Sequence, residues 1–215
     1  MLNEIRSAVG AALVPNLTNA SAAADIFEAY TFSIVLRAAV DEGASVTFEN
    51  VDGARTNALT FRTSPGHIWS PTRPYTHAVV QFPGKPELEA HLGVFVTGKS
   101  GVLHEADVAV LSRVEAATCR QNRVAPRSAS LILTVECKFY TTSLGLGLAR
   151  GFLGLCTDFT ADRCFFVTNT NSDSAERLLA HQKRRWEHRV VPSEPVPTSR
   201  LKSSFQEAFK NFKAR

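Results

Sequence analysis

The chain has 215 residues, with 24 Lys and Arg against 20 Asp and Glu, so its formal net charge is +4. This length is typical of one domain and excludes a multi-domain machine. Because 44% of the residues are hydrophobic and 9% are aromatic, with 12 Gly and 10 Pro, the composition also excludes a disordered, collagen-like or coiled-coil chain.

The sequence carries no signal for a membrane or an oxidising compartment. Its longest apolar stretch, residues 32–40, is interrupted by Arg37 and is shorter than the ~20 residues that span a bilayer. The apolar run at residues 8–14 is also short, and no basic leader precedes it. The four cysteines form no CxxC pair, and three lie in apolar segments where reduced thiols pack as small hydrophobic groups. We therefore expect a cytoplasmic protein without a membrane segment.

The first half of the chain begins with a helix that is expected to be buried. Residues 21–41 are apolar on nearly every side, with Ser21 as the candidate N-cap and Gly43 just after the end. Two short alternating segments, 45–51 and 58–63, are joined by an Asp-Gly turn and predict a peripheral hairpin. After them, residues 76–82 predict another strand, although a helix entering the core from about residue 86 fits the pattern as well.

The second half has clearer periodicity and predicts strand, strand, strand, helix, strand and two final helices. These segments are residues 92–98, 104–111, 131–140, 144–159, 164–171, 172–185 and 198–212. An Arg-rich loop, 113–127, is expected between the second and third of these strands. Counting the first helix, the order is α-β-β-β-α-β, which predicts the α/β (α+β) class.

The third of these strands carries two charged residues in an otherwise apolar run. Because side chains alternate across a strand, Glu136 and Lys138 share one face and Cys137 lies on the other. The same alternation puts Glu105 and Asp107 on one face of the preceding strand. If the two strands are neighbours, Asp107, Glu136 and Lys138 converge. Carboxylates held together in a partly buried place repel each other, and hard cations such as Mg²⁺ relieve that repulsion.

An Asp on one core strand followed by Glu-x-Lys on the next resembles the PD-(D/E)XK nuclease superfamily. Here the motif is Asp107 and then Glu136-Cys137-Lys138. The resemblance covers residues 92–171 and the element order, and it departs at Ala106, where many members have Pro. It implies a restriction-endonuclease-like core, which is a central mixed sheet flanked by helices. Residues 1–190 would form this domain, with a hairpin insertion at about 45–85, and residues 191–215 would add a basic linker and helix.

The resemblance also implies a reaction and a set of functional residues. Asp107, Glu136 and the backbone carbonyl of Cys137 would hold Mg²⁺, or Mn²⁺, and Lys138 would orient the attacking water and stabilise the transition state. Some members add a carboxylate from the first helix, for which Glu28 is the candidate. The implied activity is hydrolysis of phosphodiester bonds in DNA, in bacterial restriction or in defence against foreign DNA.

The sequence leaves two further residues as candidates for the site and two other functions as alternatives. Glu105 and His104 precede Asp107 closely enough to be additional candidates for the site. A nucleic-acid-binding or assembly subunit that keeps the fold without cutting is one alternative function. A Holliday-junction-type resolvase is the other.

Basic residues favour a nucleic-acid partner. Residues 181–215 hold nine Lys and Arg against three Asp and Glu, and Lys183, Arg184 and Arg185 adjoin Trp186. Further arginines stand before the Glu-x-Lys strand and on the helix that follows it, at Arg113, Arg120, Arg123, Arg127 and Arg150. We expect DNA as the partner, with RNA not excluded, and a homodimer or a subunit of a larger complex.

Other cofactors are not indicated. Residues 93–100 fit the pattern GxxxxGK[ST], but the apolar residues inside it favour a strand over a phosphate-binding loop. The six His and four Cys contain no CxxC or HExxH pair, so the sequence predicts no zinc site.

Overall fold

The protein is described here by a computed structural model that covers residues 1–9, 12–13, 22–72 and 75–215. The helices of this part of the chain are α1 (Leu2–Val9), α2 (Ala23–Asp41), α3 (Arg113–Asn122), α4 (Leu146–Asp158), α5 (Asp173–His181) and α6 (Pro195–Lys213). The strands are β1 (Ala12–Leu13), β2 (Ser45–Asn50), β3 (Ala58–Leu59), β4 (Thr76–Gln81), β5 (Leu88–Thr97), β6 (Leu103–Ser112), β7 (Leu131–Lys138), β8 (Cys164–Thr168) and β9 (Arg185–Glu187).

One mixed sheet of seven strands organises the fold, in the order β2-β4-β5-β6-β7-β8-β9. Neighbours are antiparallel from β2 to β7, whereas β7, β8 and β9 run parallel. Parallel neighbours need crossover connections, and α4 and α5 supply the two that are required. The predicted mixed α/β class with helices flanking a central sheet is therefore confirmed.

Helices cover both faces of this sheet and bury two apolar clusters. The first cluster joins α1, α2 and α6 to one face, with Phe27 and Ile34 of α2 fully enclosed. The second joins α3, α4 and α5 to the opposite face, around Phe152 and Phe166, whose rings stack. As the sequence predicts, α2 is apolar nearly all round and is buried along most of its length. The four cysteines are free and buried, as expected of reduced thiols.

The predicted hairpin of residues 45–51 and 58–63 is wrong. Strand β2 pairs with β4 along its whole length and forms the edge of the main sheet, while the two-residue β3 pairs with β1. The Asp-Gly turn does form, with Gly53 at φ +84°, but it leads only to a single bridge between Glu49 and Arg55. An Asp-Gly pair predicts that the chain reverses locally, but it does not determine which strand pairs with β2. Residues 88–97 form a strand, so the helix considered near residue 86 is also absent.

Three other boundaries differ from the prediction. The expected Arg-rich loop contains helix α3, which Ser112 caps by accepting a hydrogen bond from the Glu115 amide. Helix α5 is capped by Ser172 as predicted, but it ends at His181 and leaves room for strand β9. The proposed N-cap Ser21 lies outside the described residues, and Ala22 occupies the cap position of α2.

The C-terminal helix is part of the core. Leu201, Phe205 and Phe209 of α6 are buried in the same cluster as α2. Ion pairs engage six of the nine basic residues in 181–215: Arg185 with Glu207, Arg189 with Glu194, Arg200 with Glu187, Lys202 with Asp41, and both Lys210 and Lys213 with Glu42. Three of these pairs lie within the segment itself, and the other three join it to Asp41 and Glu42 at the end of α2, so the rest of the chain neutralises part of its charge. None of the helices in the described residues has both the length and the apolar character needed to cross a membrane.

If α6 belongs to the core, shortening one of its buried side chains will destabilise the whole fold. Phe205→Ala should lower the free energy of unfolding by about 3–5 kcal/mol, as buried Phe to Ala changes do elsewhere. Val196→Ala on the same helix is the control, because Val196 is 62% exposed and should change that value by less than about 0.5 kcal/mol. Urea unfolding measures both. Equal, small effects would contradict a structural role for α6.

Candidate active site

The candidate site lies where strands β6 and β7 separate. Their pairing ends at Val108 and Val135, and the next residues along, Asp107 and Glu136, are no longer strand partners. Here the Cys137 amide donates a hydrogen bond of 2.6 Å to Asp107 Oδ2. The Asp107 carboxylate therefore replaces the missing backbone acceptor and fixes the distance between the diverging strands.

Strict alternation of side chains, which the sequence analysis assumed for β6, fails at this point. Ala106 packs in the cluster under α4, whereas Val108 packs in the cluster under α2. The same change of side occurs on β5 between Leu92 and Val94, across Gly93, which has φ +55° and lies opposite Asp107. A residue with positive φ rotates the strand locally, and glycine tolerates that conformation at little cost.

The three residues of the predicted motif meet at this point. Lys138 Nζ lies 2.6 Å from Glu136 Oε1 and 3.7 Å from Asp107 Oδ2. Asp107 is buried, with a side chain 5% exposed, while Glu136 and Lys138 are partly open to solvent. The Cys137 side chain points into the apolar core, so only its backbone can face the charged residues.

Burial and mutual repulsion change the protonation of the carboxyls. Burial, together with the nearby Glu136, raises the pKa of Asp107 to about 7, although Lys138 partly opposes the shift. Burial also raises the pKa of Glu28 on α2 to about 8, with Asp107 and Glu105 adding to it. Burial disfavours the Lys138 ammonium, but Asp107 and Glu136 outweigh this and raise its pKa overall.

The site holds more negative than positive groups. Glu28, Glu105, Asp107 and Glu136 influence one another electrostatically, and Lys138 is the cation among them. In the described part of the chain, no hydrogen bond or ion pair reaches the carboxyls of Glu28 and Glu105. A hard divalent cation with oxygen ligands would supply the missing positive charge, so the donor set fits Mg²⁺.

Several sequence candidates lie in other environments. His104 Nε2 is 2.6 Å from Asp158 Oδ2 at the end of α4, so this histidine belongs to a different contact. Arg113 pairs with Glu49 and Glu87, and Arg120 pairs with Glu89, so both arginines are committed within the chain. Three other arginines are exposed and make no ion pair with the described residues: Arg123, Arg127 and Arg150.

A second cluster of possible ligands was missed by the sequence analysis. His77 on β4 and Glu89 and His91 on β5 are buried, and one ligand atom from each lies within 4.8 Å of the others. The search for CxxC and HExxH pairs could not find it, because its residues come from two strands. The available signal was Glu89-x-His91, since residues two apart on a strand share a face.

Comparisons with known proteins give no relative. No family model, no curated protein and no solved structure matches this chain. Its function must therefore be argued from the geometry of the site.

The raised pKa of Asp107 predicts a specific pH dependence of stability without metal. Between its unfolded value of 3.8 and its folded value of about 7, the folded chain keeps a proton that the unfolded chain releases, so stability falls as pH rises. Asp107→Asn cannot ionise but can still accept from the Cys137 amide. We expect this variant to lose less stability between about pH 4 and about pH 8 than the wild type.

Urea unfolding in EDTA across this pH range measures the effect. Glu207→Gln, at an exposed carboxyl on α6, is the control and should follow the wild type. An equal slope in wild type and Asp107→Asn would contradict a protonated Asp107.

Proposed function

We propose that the protein is a Mg²⁺-dependent phosphodiesterase that cleaves DNA at the site around Asp107. The observation that carries this proposal is the meeting of the buried Asp107 with Glu136 and Lys138 where β6 and β7 separate. Its negative excess supports a divalent cation, and its single ammonium group supports a substrate that gains negative charge during reaction. From α2 onward the elements run through β2–β6 and then α3, β7, α4 and β8, so additional strands and helix α3 interrupt the α-β-β-β-α-β order that the resemblance implies.

Each residue then has a separate task. Asp107, Glu136 and the Cys137 carbonyl would hold Mg²⁺, and the bound ion would polarise the phosphate and lower the pKa of a water. Lys138 cannot serve as a base near neutral pH, because its neighbours raise its pKa. Its ammonium instead orients the water and stabilises the transition state. Burial raises the pKa of Glu28 to about 8, so this carboxyl holds its proton near neutral pH and can accept one from the water once it ionises at higher pH.

Exposed aromatic and basic side chains support a nucleic-acid substrate. Tyr140, two residues after Lys138, is 39% exposed, and Asn169 holds its backbone through two hydrogen bonds of 2.8 Å. An exposed aromatic ring two residues beyond Lys138 suits stacking on a base. Elsewhere on the surface, Arg123, Arg127 and Arg150 are exposed without an ion pair to the described residues, which suits phosphate contacts. Two copies of the site would cut both strands, so the proposal includes a dimer, acting in the cytoplasm against foreign DNA.

Replacing Lys138 tests the activity directly. Lys138→Met should lower Mg²⁺-dependent cleavage of plasmid DNA by about 10²–10³-fold, because a preorganised charge at the transition state is lost. Lys85→Met is the control, since Lys85 lies in the turn between β4 and β5 and makes no ion pair with the described residues. The assay uses linear, supercoiled and branched DNA and RNA, with Mg²⁺, Mn²⁺ or EDTA.

The substrates separate the alternatives. Preference for branched DNA would identify the resolvase, while binding without cleavage under any metal would overturn the nuclease in favour of a non-cleaving subunit.

Glu28 should affect the pH dependence of cleavage. If Glu28 accepts a proton, the wild-type rate rises with pH through its ionisation, and Glu28→Gln lowers the rate by about 10²-fold and removes that rise. Asp25→Asn, one turn earlier on α2, should keep the rise. Rates measured at saturating Mg²⁺ exclude a change in metal affinity. A pH profile unchanged in Glu28→Gln would remove Glu28 from the reaction.

A further inference from the structure

The interior of the sheet contains a polar cluster that the proposed nuclease site does not use. It lies on the face covered by α3 and consists of His77, Glu89 and His91 with Glu49 and two arginines, Arg113 and Arg120. Glu89 is fully buried, and His77 and His91 are less than one-tenth exposed. Burying so many ionisable groups is costly, so each of them needs a partner.

Most of these groups have one. Arg120 donates to both Glu89 oxygens at 2.6 and 2.7 Å, and Arg113 donates to both oxygens of Glu49. His91 Nε2 lies 2.9 Å from Glu89 Oε2. Burial alone would raise the pKa of Glu89, but the hydrogen bonds from Arg120 and His91 outweigh it and lower that pKa, so the carboxylate is charged.

His77 is the exception. Its Nε2 is buried and has no hydrogen-bond partner among the described residues. The nearest carboxylate oxygens are Glu89 Oε2 at 3.5 Å and Glu49 Oε2 at 3.9 Å. An imidazole nitrogen left unpaired in the interior costs stability, and such an atom in a native fold indicates a missing partner.

A metal ion would supply that partner. The ligand atoms of His77, Glu89 and His91 lie within 4.8 Å of one another. The two histidine nitrogens are 3.5 and 2.9 Å from Glu89 Oε2, on either side of the about 3.3 Å expected between tetrahedral zinc ligands. Two imidazoles and one carboxylate form a ligand set that zinc uses in proteins. A water would complete the usual four ligands, as it does in other zinc sites with three protein ligands.

We propose that His77, Glu89 and His91 bind one Zn²⁺ ion that joins β4 to β5 beneath α3. Arg120 holds the Glu89 carboxylate in place from the outer side, as hydrogen-bonded partners of metal ligands commonly do. The enclosed position assigns the ion a structural task, because no substrate can reach it. This inference does not depend on the proposed nuclease activity.

The first experiment measures Zn²⁺ binding by calorimetry on the chelator-stripped full chain. All samples carry Asp107→Asn, so that the carboxylate site cannot contribute. We expect one equivalent to bind, with at least about 100-fold weaker binding in His77→Gln and in His91→Gln. His181→Gln is the matched control, because His181 is an exposed histidine on α5. Equal binding in all variants, or no stoichiometric binding, would overturn the proposal.

A second measurement keeps the test decisive if the buried variants fail to fold. X-ray absorption on the Zn²⁺-loaded Asp107→Asn chain should give four nitrogen or oxygen ligands at about 2.0–2.2 Å, including two imidazoles. Sulfur in this shell would place the ion on cysteines and overturn the assignment. The bound ion should also raise the melting temperature, and a temperature unchanged by saturating Zn²⁺ would overturn the structural task.

Discussion

The hydrogen bond from the Cys137 amide to Asp107 is the interaction on which the candidate site depends. Two strands that separate inside a sheet leave backbone groups without partners, and a buried carboxylate satisfies one of them here. The same contact keeps Asp107 beside Lys138 and Glu136, because all three residues lie just beyond the last paired residues of β6 and β7. A structural requirement of the sheet and a requirement of the proposed chemistry are therefore met by one side chain. This explains why a carboxyl whose pKa is raised by burial is retained in the interior.

The basic residues divide into those that join parts of the fold and those that stay exposed. The chain has four more basic than acidic residues, but many of its cations are bound internally. Helix α6 uses Lys202, Lys210 and Lys213 to attach to the C-terminal end of α2, and α3 uses Arg113 and Arg120 to neutralise buried glutamates. Other basic side chains are exposed and form no ion pair with the described residues, among them Arg123, Arg127, Arg150, Arg177, Lys183 and Arg215.

The sequence predicted the parts of the fold that depend on local periodicity. The strand with Glu136 and Lys138, the helix after it and the capped helix at Ser172 have patterns that their own neighbours determine. Prediction failed where a distant partner decides: β2 pairs with β4 and not with the segment across its turn. It also failed at Gly93, because one positive φ changes the side on which the following residues point. Asp107 and Glu136 also lie on different strands, but they could be linked because together they match a known motif. No motif contains both His77 and Glu89, so only the pairing of β4 with β5 shows that they are neighbours.

Strand β5 connects the two proposed metal sites. His91 pairs with Ala109 of β6, and two residues further along β5, Gly93 lies opposite Asp107. The ligand types would keep the two ions apart, because imidazoles favour Zn²⁺ whereas carboxylate and carbonyl oxygens favour Mg²⁺. An ion that fixed β4 to β5 at His91 would also restrain the backbone of Gly93, two residues away. Because Gly93 lies opposite Asp107, the position of Asp107 would be restrained as well. The buried site would then serve the open one through the strand that they share, without any contact with substrate.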